Sequence, residues 1–408
     1  MNIIKKMTPL LELPSRLENV VHCYLNFLLS NGGRKTLQGA SDASGLNSSQ
    51  FSRLLSKHFS LALDQLNRLN RRTLKSLLRK RKALIPCSPW TVALVIDATL
   101  HERSSRHLDN AQRFNHGQGW VIGHQWTNLV LMINGKKIPL PPIPFLTEEK
   151  CRELGEDYKT EPQRIMEYLQ NIDWENLLPG VRPEEILVLS DSGYDNKVLQ
   201  RFILSQGWGF IGSIKKTRSV RTKTQEWQSV VDLFRNTRKI GTWQTIRHRA
   251  NGGKKRKLVN TRTLIGLLKG VPSEVAIVSA EKPNKDRIYL ACSRSGLPAG
   301  TIVRLYKLRW SIELFHREVK SYLGFEDAGL TRFEAIHSHV LWVYTSYLLL
   351  PKLTSSLEKG GILTRKHHLQ KMLKAHDMGQ ILKLNGRFDS KKAVRDYCFE
   401  VKKSIEAA

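Results

Sequence analysis

Carboxylates are scarce in this chain: 36 Asp plus Glu stand against 66 Lys plus Arg in 408 residues, a formal net charge of +30. So little acid leaves a polyanion as the expected partner, because counterions released from a phosphate backbone drive cations onto it. A solvated basic surface without a partner is the plainer alternative. Cysteine is equally thin, with Cys23, Cys87, Cys151, Cys292 and Cys398 odd in number, widely scattered and without a C-x-x-C pair. That excludes a disulfide framework or a cysteine zinc cluster and points to a reducing cytoplasm.

Long apolar runs are also missing. The longest, "VLWVYTSYLLL" at Val340 to Leu350, is shorter than the roughly 18 residues of a membrane-spanning helix. The start, "MNIIKKMTPLLELPSRLE", is broken by charge and proline, so neither a signal peptide nor a membrane anchor is expected. There is no internal repeat and no extended low-complexity segment.

What is present changes character along the chain. Residues 1–85 read as helical, with leucines at three- and four-residue steps (Leu63, Leu66, Leu74, Leu77, Leu78), and carry 15 Lys/Arg against 4 Asp/Glu. Within them, residues 37–57 place Ala40, Gly45, Leu46, Phe51 and Leu54 where a helix-turn-helix needs a small residue, a tight turn and an apolar contact. Gln50, Ser52, Arg53 and Lys57 then fall on the outward side of the second helix. Plain helical packing would produce the same pattern.

After the linker "IPCSPW" the chain reads as alternating strands and helices. "TVALVID" is an apolar strand expected to end on Asp97, and "EEILVLSDS" a second ending on Asp191. Between them, "GWVIGHQWTNLVLMIN" and the turn "GKK" predict adjacent antiparallel strands. "PQRIMEYLQNI" and "NKVLQRFILSQ" predict helices, and "GWGFIGSI" a further strand. Residues 215–262 carry 15 Lys/Arg against only Glu226 and Asp232, with Trp227 and Trp243 among them and "NGGKKRK" as a hairpin tip. A basic sheet with aromatics is expected there, fit for nucleic acid or simply solubilising. From Gly300 the chain reads as helical again, and residues 356–408 form a basic, helical C-terminal segment.

One stretch concentrates chemistry. In "YKLRWSIELFHREVK", residues 306–320, a single α-helix would align Tyr306, Arg309, Glu313, Arg317 and Lys320 in one stripe, flanked by apolar Leu308, Ile312, Phe315 and Val319. An ordinary amphipathic helix stapled by the Arg309–Glu313 pair reads the same way. The two aspartates after apolar strands alter the balance, because strands leaving a core aim their end residues into clefts. Asp97, Asp191 and Glu313 make three carboxylates with no accompanying Cys/His set, and all-oxygen ligation favours Mg²⁺ or Mn²⁺ over zinc. Two such ions activate the attacking oxygen and steady the leaving oxygen of a phosphodiester, while neighbouring cations hold its phosphates.

With these residues in view the chain resembles the DDE insertion-sequence transposases of the IS-four type, marked by Y-x2-R-x3-E-x6-K. Tyr306, Arg309, Glu313 and Lys320 reproduce that YREK spacing without a gap, and "IDAT" and "LSDSGY" resemble the family's aspartate motifs. The resemblance covers roughly residues 90–350. It implies an α/β fold with an RNase H-like catalytic core over 90–214 and 301–355, interrupted by a basic β-rich insertion at 215–300; the helical, basic residues 1–85 in front of it are expected to be a DNA-binding domain. It makes Asp97, Asp191 and Glu313 the catalytic and metal-binding triad for two Mg²⁺ ions (Mn²⁺ in their place), and Tyr306, Arg309, Trp310 and Lys320 DNA-binding residues, which Arg317 is expected to join as a cation of the same stripe.

Trp310 matches an aromatic that in some relatives stacks on a flipped base near a hairpin intermediate; a core position is its alternative. A second stacking tryptophan of those relatives has no counterpart here, Tyr289 being the nearest aromatic. His124 is set aside as structural. The implied activity is binding of the element's terminal inverted repeats, cleavage of the ends and joining to target DNA, by a homodimer at the nucleoid of a bacterial-type cell. A nuclease of the same fold that does not join, and a DNA-binding regulator without chemistry, remain open on the residues alone.

Overall fold

The computed structural model describes residues 7–30, 33–103, 108–115, 119–223, 226–236, 244–249, 256–281, 286–357 and 360–384. Trp243, residues 251–255 of the expected hairpin tip and Cys398 lie outside them. The chain divides into two compact units, one drawn from Met1–Leu69, His107–Asp109 and Arg317–Ala408, the other from Asn70–Arg106 and Asn110–His316.

The first unit is helical. Its centre is the helix Phe333–Leu353, whose run from Val340 to Leu350 is buried throughout. The longest apolar run is thus a core helix, and no helix among the described residues is long and apolar enough to cross a membrane. Helices Ser15–Leu29, Ser48–Lys57 and Ile362–Leu384 pack against it. Its buried His339 is satisfied at both nitrogens: Nε2 lies 2.9 Å from the Gly324 carbonyl, and the Tyr24 hydroxyl lies 2.7 Å from Nδ1. The carbonyl can only accept, so Nε2 carries the proton and Tyr24 donates to Nδ1.

Residues 37–57 form two short helices in this unit. Helices Leu37–Ser44 and Ser48–Lys57 meet at Gly45, whose φ of +73° is the left-handed conformation that a residue with a Cβ adopts at a cost. Thr36 caps the first helix by accepting from the Gly39 amide, and Asn47 caps the second by accepting from the Ser49 amide. Ala40, Phe51 and Leu54 are buried, while Gln50, Ser52, Arg53 and Lys57 are not.

Among the described residues of this unit, Lys35 and Lys366 are buried lysines. Lys35 Nζ donates to the carbonyl and the hydroxyl of Ser30, and Lys366 Nζ donates to the Tyr322 carbonyl. Burial, with Lys35 reinforcing it and Asp327 opposing it, pushes Lys366 down to about 8. Between pH 8 and the ordinary lysine value of 10.5 the unfolded chain holds a proton that the folded chain has released, so stability rises with pH across that window. Lys366→Met is expected to abolish this rise, which amounts to roughly 3 kcal/mol at most for a shift of this size. Thermal denaturation of both proteins from pH 7.5 to 10.5 checks it, and parallel curves would exclude Lys366 as the source.

The second unit is built on a mixed sheet, with thirteen strands among the described residues. In chain order they are β1 (Val92–Glu102), β2 (Gln112–Asn115), β3 (Trp120–Ile133), β4 (Lys136–Pro139), β5 (Ile143–Pro144), β6 (Ile186–Ser190), β7 (Gly209–Ile214), β8 (Ser219–Arg221), β9 (Gln228–Ser229), β10 (Gln244–Arg249), β11 (Arg256–Leu268), β12 (Val275–Glu281) and β13 (Arg287–Cys292). The sheet order is β2-β3-β1-β6-β7-β13-β12-β11-β8-β9, with β4 and β5 also on β3 and β10 on β11. β1, β6 and β7 run parallel and the remaining pairs are antiparallel.

Helix Lys197–Ser205 makes the crossover from β6 to β7, as parallel neighbours require. β13 pairs directly with β7, so the strands from residues 215–300 continue the central sheet. Val92 to Ile96 are fully buried, as are Leu94's and Val95's partners Leu131 and Val130 on β3. This apolar centre fixes where the two parallel strands end.

Candidate active site

β1 does not stop at Asp97 as its composition predicts. It continues to Glu102, because β3 is long enough to pair with it as far as Gly123. What ends near Asp97 is the other side of the strand: parallel pairing with β6 runs from Val92↔Ile186 to Ile96↔Ser190. Asp97 and Asp191 are each the next residue, so both carboxylates stand where the parallel pairing stops, Asp191 just past the carboxyl end of β6 and Asp97 midway along β1, the side on which open α/β sheets place their clefts. Asp191 Oδ1 accepts from the Gly193 amide at 2.8 Å, which caps the short 3₁₀ turn Ser192–Tyr194. Asp97 Oδ1 accepts from the Ala98 amide at 3.0 Å.

The third carboxylate comes from a helical run that is not a single α-helix. Helix Ala299–Tyr306 passes into a 3₁₀ turn, Lys307–Arg309, and then into helix Trp310–Leu323. The turn is tighter, three residues instead of 3.6, and Tyr306 nevertheless stays beside Arg309. Arg309 sits at the join and reaches two ways: Nη1 lies 3.5 Å from Asp97 Oδ2, and Nη2 pairs with Glu313 Oε1. Its Cζ stands 6.0 Å from the centre of the Tyr306 ring. Trp310 is 52% exposed, so its core alternative falls. Tyr289 is buried on β13 with its ring 5.7 Å from that of Phe234, which removes it as a stacking platform. His124 is buried on β3 beside His101.

Arg317 and Lys320 lie further along the Trp310–Leu323 helix, in the portion that belongs to the first unit. Arg317 is exposed, and the Lys320 ammonium lies 2.7 Å from the Glu326 carboxylate.

The electrostatics tie the three carboxylates together. Burial first and Asp191 second push Asp97 up to about 7; Glu313 adds to the rise, while Arg309 and the Ala98 amide oppose it. Burial dominates at Tyr306 as well, holding its hydroxyl above the ordinary tyrosine value, although Arg309 and a hydrogen bond with Ser213 pull the other way.

Several residues at the site had no signal in the sequence. Glu161 Oε1 accepts from the Thr127 hydroxyl and, at 2.8 Å, from the Tyr194 hydroxyl. Burial, Glu161, Asp97 and Asp191 all keep that phenol protonated. Asn128, the cross-strand partner of Asp97, donates to His316 Nε2 at 2.9 Å and so ties β3 to the helix of Glu313. Glu161 is legible only as the first residue of a helix capped by Thr160 and Gln163, and Asn128 only as a polar residue in an apolar strand.

In donor type the carboxylates suit a hard divalent ion, all ligands being oxygen. Among the described residues, however, no three His, Cys, Asp or Glu side chains stand close enough to hold one as placed. Arg309 is the cation that Asp97 and Glu313 share.

No curated protein matches the chain. Among solved structures, the cryo-EM structure of a piggyBac transposase synaptic complex with hairpin DNA is similar at 11% identity and a TM-score of 0.46, over 94% of this chain and 76% of that one. Residues 173–349, which include Asp191, Glu313 and the whole Tyr306–Lys320 segment but not Asp97, match the family described as the transposase DDE domain.

Proposed function

We propose that this chain is a DNA transposase of the DDE type, with an RNase H-like core around β1, β6 and β7 and with Asp97, Asp191 and Glu313 as its catalytic carboxylates. The observation that carries the reading is their disposition: two aspartates one residue beyond the paired ends of β1 and β6, and a glutamate joined to the first through Arg309. The family match over residues 173–349 supports it.

Two Mg²⁺ ions, or Mn²⁺ in their place, held by these three carboxylates would polarise the scissile phosphate, activate the attacking oxygen and steady the leaving one. For that, Arg309 must give up its hold on Asp97 and Glu313, and its guanidinium then suits a bidentate grip on a DNA phosphate. Tyr306, its ring within reach of the same guanidinium, orients it. Trp310, half exposed on the first turn of its helix, offers a face to a base, and Arg317 and Lys320 bind backbone phosphates. Asn128 and His316 hold the glutamate's helix in register with β3. The helix-turn-helix reads the terminal inverted repeats through Gln50, Ser52, Arg53 and Lys57.

The test is a Mg²⁺-dependent assay on labelled DNA taken from the two sides of the gene, where this reading expects inverted repeats. Cleaved ends joined to a target plasmid support transposition. Cleavage without joined product moves the assignment to a nuclease, and tight binding without chemistry in either metal moves it to a regulator.

Because two ends must be held at once, a homodimer is expected on end DNA. Light scattering with and without that DNA checks this, and a strict complex of one protein with one end under active conditions would count against it.

A further inference from the structure

Cross-strand partners in an antiparallel pair share a face, and alternate residues alternate faces. From Asp97↔Asn128 one face therefore runs through Thr99↔Trp126 and His101↔His124, then out along β3 to Ile122 and Trp120, paired with Arg113 and Asn115 of β2. The inner members of this row are mostly buried. Its outer end is not: Trp120 is 58% and Ile122 53% exposed, and Arg113 and Asn115 are exposed beside them.

The opposite face of the same hairpin is anchored, with Phe114 edge-on to Phe145 at 5.4 Å. Gly123 fixes the approach of β3 to β1, since a Cβ there would meet the His101 carbonyl oxygen at 2.0 Å. The bare face is thus held in place by its back. Arg113 lies over the Trp120 ring at 5.0 Å, and beyond Asp97 the described residues of the face include no carboxylate.

A cation stacked on an exposed indole, next to an aliphatic side chain and away from acid, is a surface for a nucleic-acid strand whose bases are unpaired. We infer that the β2–β3 hairpin face binds single-stranded DNA continuous with the strand at the carboxylates, Trp120 stacking on a base and Arg113 holding a phosphate. At ~3.3 Å per residue, Ile122 and Trp120 lie ~20 and ~26 Å along β3 from Asn128, the partner of Asp97. With one phosphate per ~3.4 Å of strand, that is about six to eight nucleotides from the scissile bond. Two apolar side chains are too few for a stable interface with a second copy, which takes about 800 Å² per partner. The inference rests on the transposase reading and extends it by placing the flanking strand.

The experiment is fluorescence anisotropy of full-length protein with fluorescein-labelled (dT)20 and with a blunt duplex of mixed sequence, over a salt series. For (dT)20, Trp120→Ala is expected to weaken binding about tenfold and Trp120→Phe to keep it. Arg113→Gln should reduce the salt slope by about 0.7. The blunt duplex should bind Trp120→Ala within about twofold of wild type. If wild type binds and cleaves DNA but Trp120→Ala holds (dT)20 as tightly as wild type, the hairpin assignment is overturned and the transposase reading stands. The hairpin assignment is likewise overturned if Trp120→Ala loses only self-association in sedimentation. If wild type binds neither probe, the transposase reading fails and the hairpin assignment fails with it.

Discussion

Glu313→Gln is expected to abolish strand cleavage and joining, by at least about a thousandfold, while leaving the fold and DNA binding intact. The amide keeps the volume of the side chain and its place on the first turn of helix Trp310–Leu323. It loses the charge that would hold a divalent ion, and metal stabilisation of a phosphoryl transition state is worth several kcal/mol, each 1.36 kcal/mol being about tenfold in rate. Single-turnover cleavage of end DNA, beside a binding isotherm and a circular dichroism spectrum, checks the prediction. A variant that still cleaves within tenfold of wild type would remove Glu313 from the catalytic set.

Arg309→Ala carries the second large effect, and its readout is stability. In EDTA the substitution leaves Asp97 and Glu313 without the guanidinium they share. Losing one partner of a buried ion group costs about 3–5 kcal/mol; these groups are partly exposed, and roughly 1–3 kcal/mol is expected after screening. Mg²⁺ should then raise the thermal midpoint more in the variant than in wild type, where the ion must first displace Arg309. Equal Mg²⁺ effects in the two proteins would show that Arg309 does not compete with the ion, whatever its part in binding DNA.

These predictions rest on residues that were unequally visible in the sequence. Asp97, Asp191 and Glu313 could be singled out because apolar strands ran up to the aspartates and a mixed-charge helix carried the glutamate. The reason the aspartates stand together could not be read, since it lies in the register Ile96↔Ser190, a pairing between segments far apart in the chain. The 3₁₀ turn at Lys307–Arg309 was equally hidden: its residues are ordinary helix formers, and no glycine or proline marks it. Glu161 and Tyr194 reach the site through hydrogen bonds that leave no periodic trace. The helical pair at residues 37–57, by contrast, was legible because its determinants, Gly45 and the apolar set Ala40, Phe51 and Leu54, are local.

The parallel register also has a kinetic side. The β1–β3 pair closes over a short stretch, Asp97 to Asn128, whereas β1 meets β6 only after a far longer loop, Val92 to Ile186, and non-local strand pairing is the slow part of folding. In refolding from denaturant the Asp97 hairpin should therefore form first, Asp191 arrive with the parallel pairing, and the three carboxylates come together among the last events, so that regained activity lags well behind regained secondary structure.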